Sequence, residues 1–431
     1  MRTIIKLSTI LIVFLLLQSC NQKTNTVIAQ KDYNQFLEIK DNKSKAFIES
    51  EINFWQKRFN SAPNQISYLS ILASNYAKLF ECTGNIKFLY KAEELLLKSN
   101  EAYHYSVVKT IRSLARNYIT QHRFKEALVL ANKALAIGEG MKETQKLLFD
   151  VNMELGNYAQ AEQNLVTIHD ISDFDYLIRI SKWNDHLGDL DTAISLMEKA
   201  KDIAILNENK HLQVWTYSNL GDLNGHAGNI QKSYDYYLKA LELEPNHSYS
   251  LKGIAWIAFS HERNTAEANR IIGHISKTHN TPDFYLLKAQ IAAFENNSTA
   301  KNENLTAYFQ MLKSINYGAM YNKYSALIYA DDKNTASKAL EIAKIEIANR
   351  PTPDSYDLLA WSYYNLGDTK KALQIEQKYV VGKSFEPKLN YHLATIYKAN
   401  DKSAAIVSIK AELLNSIYEL GPNLEQKISK L

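Results

Sequence analysis

The sequence is short of the residues that interrupt helices, with only 14 glycines and 7 prolines among its 431 residues. An all-β protein with many tight turns needs more of both, so their scarcity favours long helices. An excess of charge of one sign is also absent, since 50 Lys and Arg residues face 46 Asp and Glu residues and no basic block of six or more occurs. We therefore expect no nucleic-acid partner.

Sequence signatures of catalysis and of cofactor binding are missing as well. The chain contains no GxGxxG, GxxxxGKS/T, GxSxG or CxxC motif. Its 11 histidines are scattered, and His186 and His226, which occupy equivalent places beside two turns, are expected to be exposed rather than to bind a metal. We predict no catalytic residue, no metal site and no cofactor, and we expect that the protein is not an enzyme.

An apolar run does occur at the N-terminus. The segment MRTIIKLSTILIVFLLLQSC has a basic start, and its run ILIVFLLL is too short to span a bilayer but has the proportions of the apolar core of a signal sequence. The ending Leu17-Gln18-Ser19-Cys20 resembles the lipobox of bacterial lipoproteins. The resemblance implies a signal peptide over 1–19 and a lipidated Cys20. A plain secretory signal or an uncleaved anchor is the alternative.

The polar stretch after the cleavage site predicts a flexible tether over residues 20–41, because Asn, Gln and Lys dominate its first part. Residue 21 is Asn, not the Asp that resembles an inner-membrane retention signal, and no acidic cluster resembling a surface-export signal follows. The expected location is the bacterial cell envelope, at the outer membrane and facing the periplasm. With Cys20 lipidated, Cys82 has no disulfide partner and is expected to be a buried free thiol on a helix.

A repeating pattern runs along the rest of the chain and is clearest from Val214 onward. Counting Val214 as position 1, small residues occupy positions 8 and 20, large residues occupy positions 4, 7 and 24, and a proline follows at 32. Small residues let two helices cross closely, large residues fill the space beside the crossing, and the proline ends the second helix. This pattern resembles the tetratricopeptide repeat (TPR), a pair of antiparallel helices of about 34 residues.

Further units of this kind occur in near register. They begin at about residues 66, 108, 142, 174, 248, 282, 320, 353 and 387. The resemblance implies an all-α fold, a TPR-type α-solenoid in which about ten antiparallel helix pairs form a right-handed superhelix. We predict an N-terminal capping helix over 42–65, the solenoid over 66–404 and C-terminal capping helices over 405–431, because a solenoid needs polar caps. An irregular helical bundle with chance periodicity is the alternative.

In the TPR family the first helix of each pair lines a concave groove, so the resemblance implies which residues bind a partner. Carried over by position, the candidates for this partner-binding groove are Arg112, Arg116, Trp215, Asp222, Tyr249, Trp256, Phe259, Trp361 and Tyr364. The two arginines lie one helical turn apart and suit a carboxylate or an acidic peptide end, although a solvated basic face is the alternative. The aromatic residues are typical binding anchors, with packing between units as the alternative.

These observations predict a membrane-anchored TPR scaffold that binds a protein or peptide partner in its concave groove in the bacterial envelope. The alternative is a glycan-binding outer-membrane lipoprotein similar to the SusD-like proteins, which also begin with a lipidated cysteine and use aromatic side chains to stack on sugars. The repeats in this chain run almost uninterrupted, whereas that family builds its site from long insertions. A subunit of an outer-membrane assembly machine is a narrower version of the scaffold prediction.

Overall fold

The computed structural model describes residues 26–39 and 42–431, so Cys20 and the predicted signal peptide lie outside the described residues. The described part contains 24 α-helices and no β-strand. The helices are α1 (Gln30–Leu37), α2 (Lys43–Ser61), α3 (Ser67–Thr83), α4 (Ile86–Ala102), α5 (Val108–Thr120), α6 (Phe124–Ile137), α7 (Met141–Glu154), α8 (Tyr158–Thr167), α9 (Phe174–His186), α10 (Leu190–Leu206), α11 (Lys210–His226), α12 (Ile230–Leu243), α13 (Ser248–Trp256), α14 (Thr265–Ile275), α15 (Pro282–Phe294), α16 (Ser298–Ser314), α17 (Asn322–Ala330), α18 (Ala336–Asn349), α19 (Pro353–Asn365), α20 (Thr369–Tyr379), α21 (Pro387–Lys398), α22 (Ile406–Asn415), α23 (Ile417–Leu420) and α24 (Glu425–Ser429).

Consecutive helices pack in pairs, from α3 with α4 to α21 with α22, and each pair packs on the next. The first helices of the pairs begin within a few residues of the predicted unit starts. Helix pairs that stack one on the next in this way define an α-solenoid. The structure therefore confirms the all-α solenoid fold predicted from the repeat.

The small residues of the repeat allow the close helix crossings. The ring of Tyr237 in α12 lies between Gly221 of α11 and Gly253 of α13. A methyl group at Gly221 would lie 2.4 Å from Cε1 of this ring, and one at Gly253 would lie 2.4 Å from its Cζ. Atoms of a packed interior do not approach so closely, so only glycine fits at either place. One tyrosine thereby joins three successive helices.

The recurring turns between the two helices of a pair also follow from the sequence. Gly188 and Gly228 have φ angles of +81° and +75°, a conformation that glycine adopts without steric cost. The next residue is the N-cap of the second helix, and at Asp189 its carboxylate accepts a hydrogen bond from the backbone N–H of Thr192 at 3.1 Å. The motif of glycine followed by Asp or Asn thus ends one helix and begins the next.

The turns of early pairs contact loops that lie about 195 residues later in the chain. Arg350, after α18, forms an ion pair of 3.1 Å with Glu154 at the end of α7. Phe385, before α21, lies so close to Gly188 that a methyl group there would be 2.8 Å from the ring. The solenoid therefore winds back onto itself. We call the part that contains Glu154 and Gly188 the first winding and the part that contains Arg350 and Phe385 the second winding.

The N-terminal segment differs from the predicted flexible tether over 20–41. Its described part contains α1, in which Tyr33 and Phe36 are buried in a core shared with α12 and α14. The Tyr33 hydroxyl donates a hydrogen bond of 2.6 Å to the buried carboxylate of Glu267. Two aromatic residues three positions apart give this short helix an apolar side, which outweighs the polar composition of the segment. The chain is thus held against the middle of the solenoid.

The predicted boundary before the C-terminal caps also differs from the structure. Helix α22 lies within 405–431, yet it packs on α21 as the second helix of the last pair. Only α23 and α24 follow the solenoid, while α2 packs on α3 at the other end, within the predicted cap over 42–65. Within residues 26–39 and 42–431, no helix has the length and apolar character needed to cross a bilayer.

Candidate functional site

The first helices of the pairs carry the residues predicted to line a groove, and we call the surface that they form the inner face. Many charged side chains on this face pair between neighbouring first helices. The pairs include Lys146 with Asp175 (2.9 Å), Arg179 with Asp150 (2.6 Å), Lys182 with Glu154 (2.9 Å) and Lys323 with Asp354 (2.5 Å). These contacts fix α7 against α9 and α17 against α19. The charges that form them are engaged by the chain itself.

The structure separates the roles of the two predicted groove arginines. The Arg112 guanidinium donates hydrogen bonds to the carbonyl oxygen of Gly140 at 3.0 Å and to Oγ1 of Thr144 at 3.2 Å, so it joins α5 to α7. The Arg116 side chain is exposed and makes no hydrogen bond or ion pair with another described residue. Of the two arginines, only Arg116 makes no such contact among the described residues.

Two of the predicted aromatic residues are open to solvent on the inner face. Trp215 is 36% exposed and meets the ring of Phe174 edge-on at 6.3 Å. Tyr249 is 47% exposed, and its hydroxyl donates a hydrogen bond of 2.5 Å to Asp222. The other carboxylate oxygen of Asp222 accepts a hydrogen bond of 2.5 Å from Tyr237. Asp222 therefore orients two tyrosines, while Trp215 and Tyr249 present aromatic surface.

Two other predicted groove residues face the protein interior. Phe259 is completely buried in the core, and Trp256 is half-buried against the C-terminal segment, which we define as residues 416–424. Both residues lie at or next to a π-helical turn, Ile257–His261. A π turn holds more residues than an α-helical turn, so it rotates the side chains that follow it out of the predicted phase. Phe259 is thereby turned into the core.

Trp361 and Tyr364 pack within the last pairs of the solenoid. Trp361 is only 8% exposed and lies flat between the rings of Tyr364 and His392, with ring centroids 4.9 and 4.0 Å away. The imidazole of His392 contacts Asp357 with Nδ1 at 2.8 Å. This stack joins α19 to α21. The two residues serve packing between units, the alternative that the sequence left open.

A cavity of about 250 Å³ lies where the two windings meet the C-terminal segment. It brings together His186 and His226 of the first winding with Glu386 and Glu419 of later parts of the chain, and Asp185 and Lys383 also line it. The three carboxylates make no hydrogen bond with another described residue, and burial together with the nearby Glu419 raises the pKa of Glu386 to about 6. Such a site suits a cationic group. Glu386 and Glu419 lie too far along the sequence for repeat positions to place them here.

Comparisons with known proteins agree with the repeat. The family profile described as "Tetratricopeptide repeat" matches residues 184–246, which include the pair α11 and α12. No curated protein matches the sequence. Solved structures similar to this chain include PilF of Pseudomonas aeruginosa, with 16% identity over 49% of this chain and 92% of that one and a TM-score of 0.36. Yeast Tom70 is similar with 14% identity over 93% of this chain and 95% of that one and a TM-score of 0.36. A human IFIT1 dimer with PPP-AAAA is also similar (13%, 77% and 77%, 0.46).

Proposed function

We propose that this protein is a membrane-anchored TPR scaffold that binds a protein or peptide partner on its inner face in the bacterial envelope. The single observation that carries the proposal is the contrast on that face between engaged and free side chains. Most of its charges pair within the chain, whereas the side chains of Arg116 and Trp215 make no hydrogen bond with another described residue and are exposed. Exposed tryptophan and arginine are the residues most often responsible for binding energy at protein interfaces.

The partner that this surface suits has an extended or helical segment with an acidic group and an apolar side chain. The Arg116 guanidinium would pair with a carboxylate, since planar guanidinium groups donate two parallel hydrogen bonds to carboxylates. Trp215 and Tyr249 would contact apolar side chains of the same segment. A solenoid built from rigid pairs holds these groups at fixed separations, which reduces the entropic cost of binding.

The proposed attachment to the membrane is through the lipid on Cys20. Ala29, which precedes α1, lies nine positions after Cys20 in the sequence. A chain of this length spans at most about 32 Å when fully extended. Helix α1 packs on α12 and α14 near the middle of the solenoid. The lipid would therefore hold the middle of the protein, rather than its first pair, close to the outer membrane on the periplasmic side.

A capture experiment with matched charge reversals tests partner binding. Tagged full-length lipoprotein is crosslinked in native envelopes as wild type, as Arg116→Glu and as Lys199→Glu, and the captured proteins are identified by mass spectrometry. Lys199 is an exposed residue of α10, a second helix, so its reversal changes the net charge equally but away from the inner face. We expect one discrete partner with wild type and Lys199→Glu and its loss with Arg116→Glu. Equal capture by all three would contradict the proposed surface.

A further inference from the structure

The C-terminal segment lies across the first helices of three successive pairs. Helix α23 contacts α11 and the π turn that follows α13, and the 3-10 turn after it, Pro422–Leu424, contacts α15 and the same π turn. At its far end the side-chain amide of Asn423 donates a hydrogen bond of 2.8 Å to the carbonyl oxygen of Gln290 in α15. A short piece of chain thus occupies the part of the inner face where a peptide ligand of a solenoid would lie.

The solenoid recognises the backbone of this segment. The Trp256 indole donates a hydrogen bond of 3.0 Å to the main-chain oxygen of Tyr418, and the Ser260 hydroxyl donates one of 2.5 Å to the same atom. Both donors come from the unit at 248, the one in which the π turn changes the phase of the helix. Hydrogen bonds to a main-chain oxygen do not depend on which side chain the bound residue carries, so they suit any peptide in this conformation.

The side chains of the segment fit features of the solenoid that are specific for their shape. The Tyr418 ring lies on Gly225, where a methyl group would be 2.7 Å from Cε1 of the ring. Next to the hydroxyl of Tyr418 is that of Ser233, which is buried and has no other partner in the described chain. Gly421 has a φ of +80° and lies over Trp256, whose Cη2 would be 3.1 Å from an added methyl group. The site therefore selects a tyrosine on a helical turn that a glycine ends.

We propose that the inner face between α11 and α15 is a peptide-binding site, that the C-terminal segment occupies it as an internal ligand, and that a partner peptide with a tyrosine on a glycine-terminated helical turn competes for it. This inference rests on the proposed function of the inner face and adds the chemistry of the partner. The surface around Arg116 and Trp215 then holds a second part of the same partner.

Two features make the segment suitable for displacement. Its regular part, α23, is a single turn of four residues, and a helix of that length has little stability of its own. Its Glu419 carboxylate lines the same cavity as those of Asp185 and Glu386, and repulsion between these like charges, which His226 partly offsets, opposes docking of the segment. Leu413, before the segment, and Ile428, after it, are buried in the core of the last pairs. The segment can therefore lift off while the chain on both sides stays in place.

Binding of a synthetic peptide in trans tests the proposal. The probe is a fluorescent peptide with the sequence of residues 413–424, titrated into full-length wild type and into Tyr418→Ala. In wild type the internal segment competes at an effective concentration of the order of millimolar. We expect the peptide to bind Tyr418→Ala at least tenfold more tightly than wild type. The same peptide with alanine in place of its tyrosine should not bind either protein.

A blocked variant and a direct exchange measurement complete the test. Adding Gly225→Leu to Tyr418→Ala fills the space for the ring, so the peptide should no longer bind. In wild type, the backbone amide hydrogens of Leu420 and Gly421 should exchange faster than those of α21, because the segment opens locally. Excess peptide should accelerate the exchange of the Leu420 and Gly421 amides. A folded Tyr418→Ala that does not bind, or exchange of the segment only with global unfolding, would overturn the inference. Neither result would affect the capture experiment with the Arg116→Glu variant, which tests the proposed function separately.

Discussion

Glu376 of α20 places its carboxyl group beside that of Asp357 of α19 in the interior of the last pairs. Asp357 is itself in contact with His392, and all three residues are buried. Neither carboxyl oxygen of Glu376 has a hydrogen-bond partner that meets normal geometry among the described residues. Burial raises the pKa of Glu376, and the adjacent Asp357 raises it further, so Glu376 is protonated in the folded protein at neutral pH.

This arrangement predicts that Glu376→Gln makes stability less dependent on pH. The unfolded chain releases the Glu376 proton near pH 4.3, whereas the folded protein retains it. The contribution of Glu376 to stability is therefore fully present below that pH and decreases as the pH rises toward the folded-state pKa. The free energy of unfolding decreases by at most about 1.4 kcal/mol per pH unit. Thermal unfolding at pH 5 and pH 8 should show a smaller difference for Glu376→Gln than for wild type. The exposed Glu412→Gln is the control, and an equal difference for both variants would refute the prediction.

Two glycines on helices predict opposite responses to alanine. Gly221→Ala places a methyl group against Tyr237, so it should destabilise the protein by about 1–3 kcal/mol through overpacking. Gly273 lies in α14 with nothing within 4 Å of an added methyl group. Gly273→Ala should stabilise the protein by about 0.5–1 kcal/mol because alanine favours helix. Denaturant unfolding measures both, and destabilisation of similar size in the two variants would be inconsistent with the close crossing at Tyr237.

The contact between the two windings predicts that Arg350 and Lys182, which both pair with Glu154, contribute unequally to stability. Arg350 joins Glu154 across the windings and is largely buried, whereas Lys182 joins it from the neighbouring first helix and is half exposed. Arg350→Ala should destabilise the protein by about 1–3 kcal/mol, and Lys182→Ala by less than about 1 kcal/mol. Thermal unfolding compares the two. A larger effect of Lys182→Ala would argue against a stabilising contact between windings.

Lipid attachment predicts a clear difference between the two cysteines. Cys20→Ser should release the protein from the membrane fraction and prevent the increase in mass that lipidation causes. Cys82 is half-buried on α3, and burial raises the pKa of its thiol to about 11, which makes it unreactive. Cys82→Ser should leave membrane attachment unchanged. Intact mass and detergent partitioning of both variants give the answer, and membrane attachment of Cys20→Ser would contradict the proposed anchor.

The sequence alone predicts the features of the fold that depend on the local repeat pattern. Small residues at the crossing, such as Gly221, and glycines at the turns, such as Gly188, recur at fixed spacing and predicted the ten helix pairs. Contacts between distant and dissimilar segments carry no such signal. The packing of Phe385 on Gly188 and of Tyr418 on Gly225 could not be predicted for this reason. Phe259 was placed on the inner face because the pattern assumes a regular helix, which the π turn interrupts.

Site-specific photo-crosslinking in native envelopes tests the central claim, partner binding on the inner face, most directly. A photoreactive phenylalanine derivative replaces Trp215 in one full-length variant and Lys199 on α10 in the other. We expect one discrete crosslinked product at position 215, reduced when Arg116→Glu is added, and no product at position 199. Absence of a product at position 215, or the same products at both positions, would contradict it.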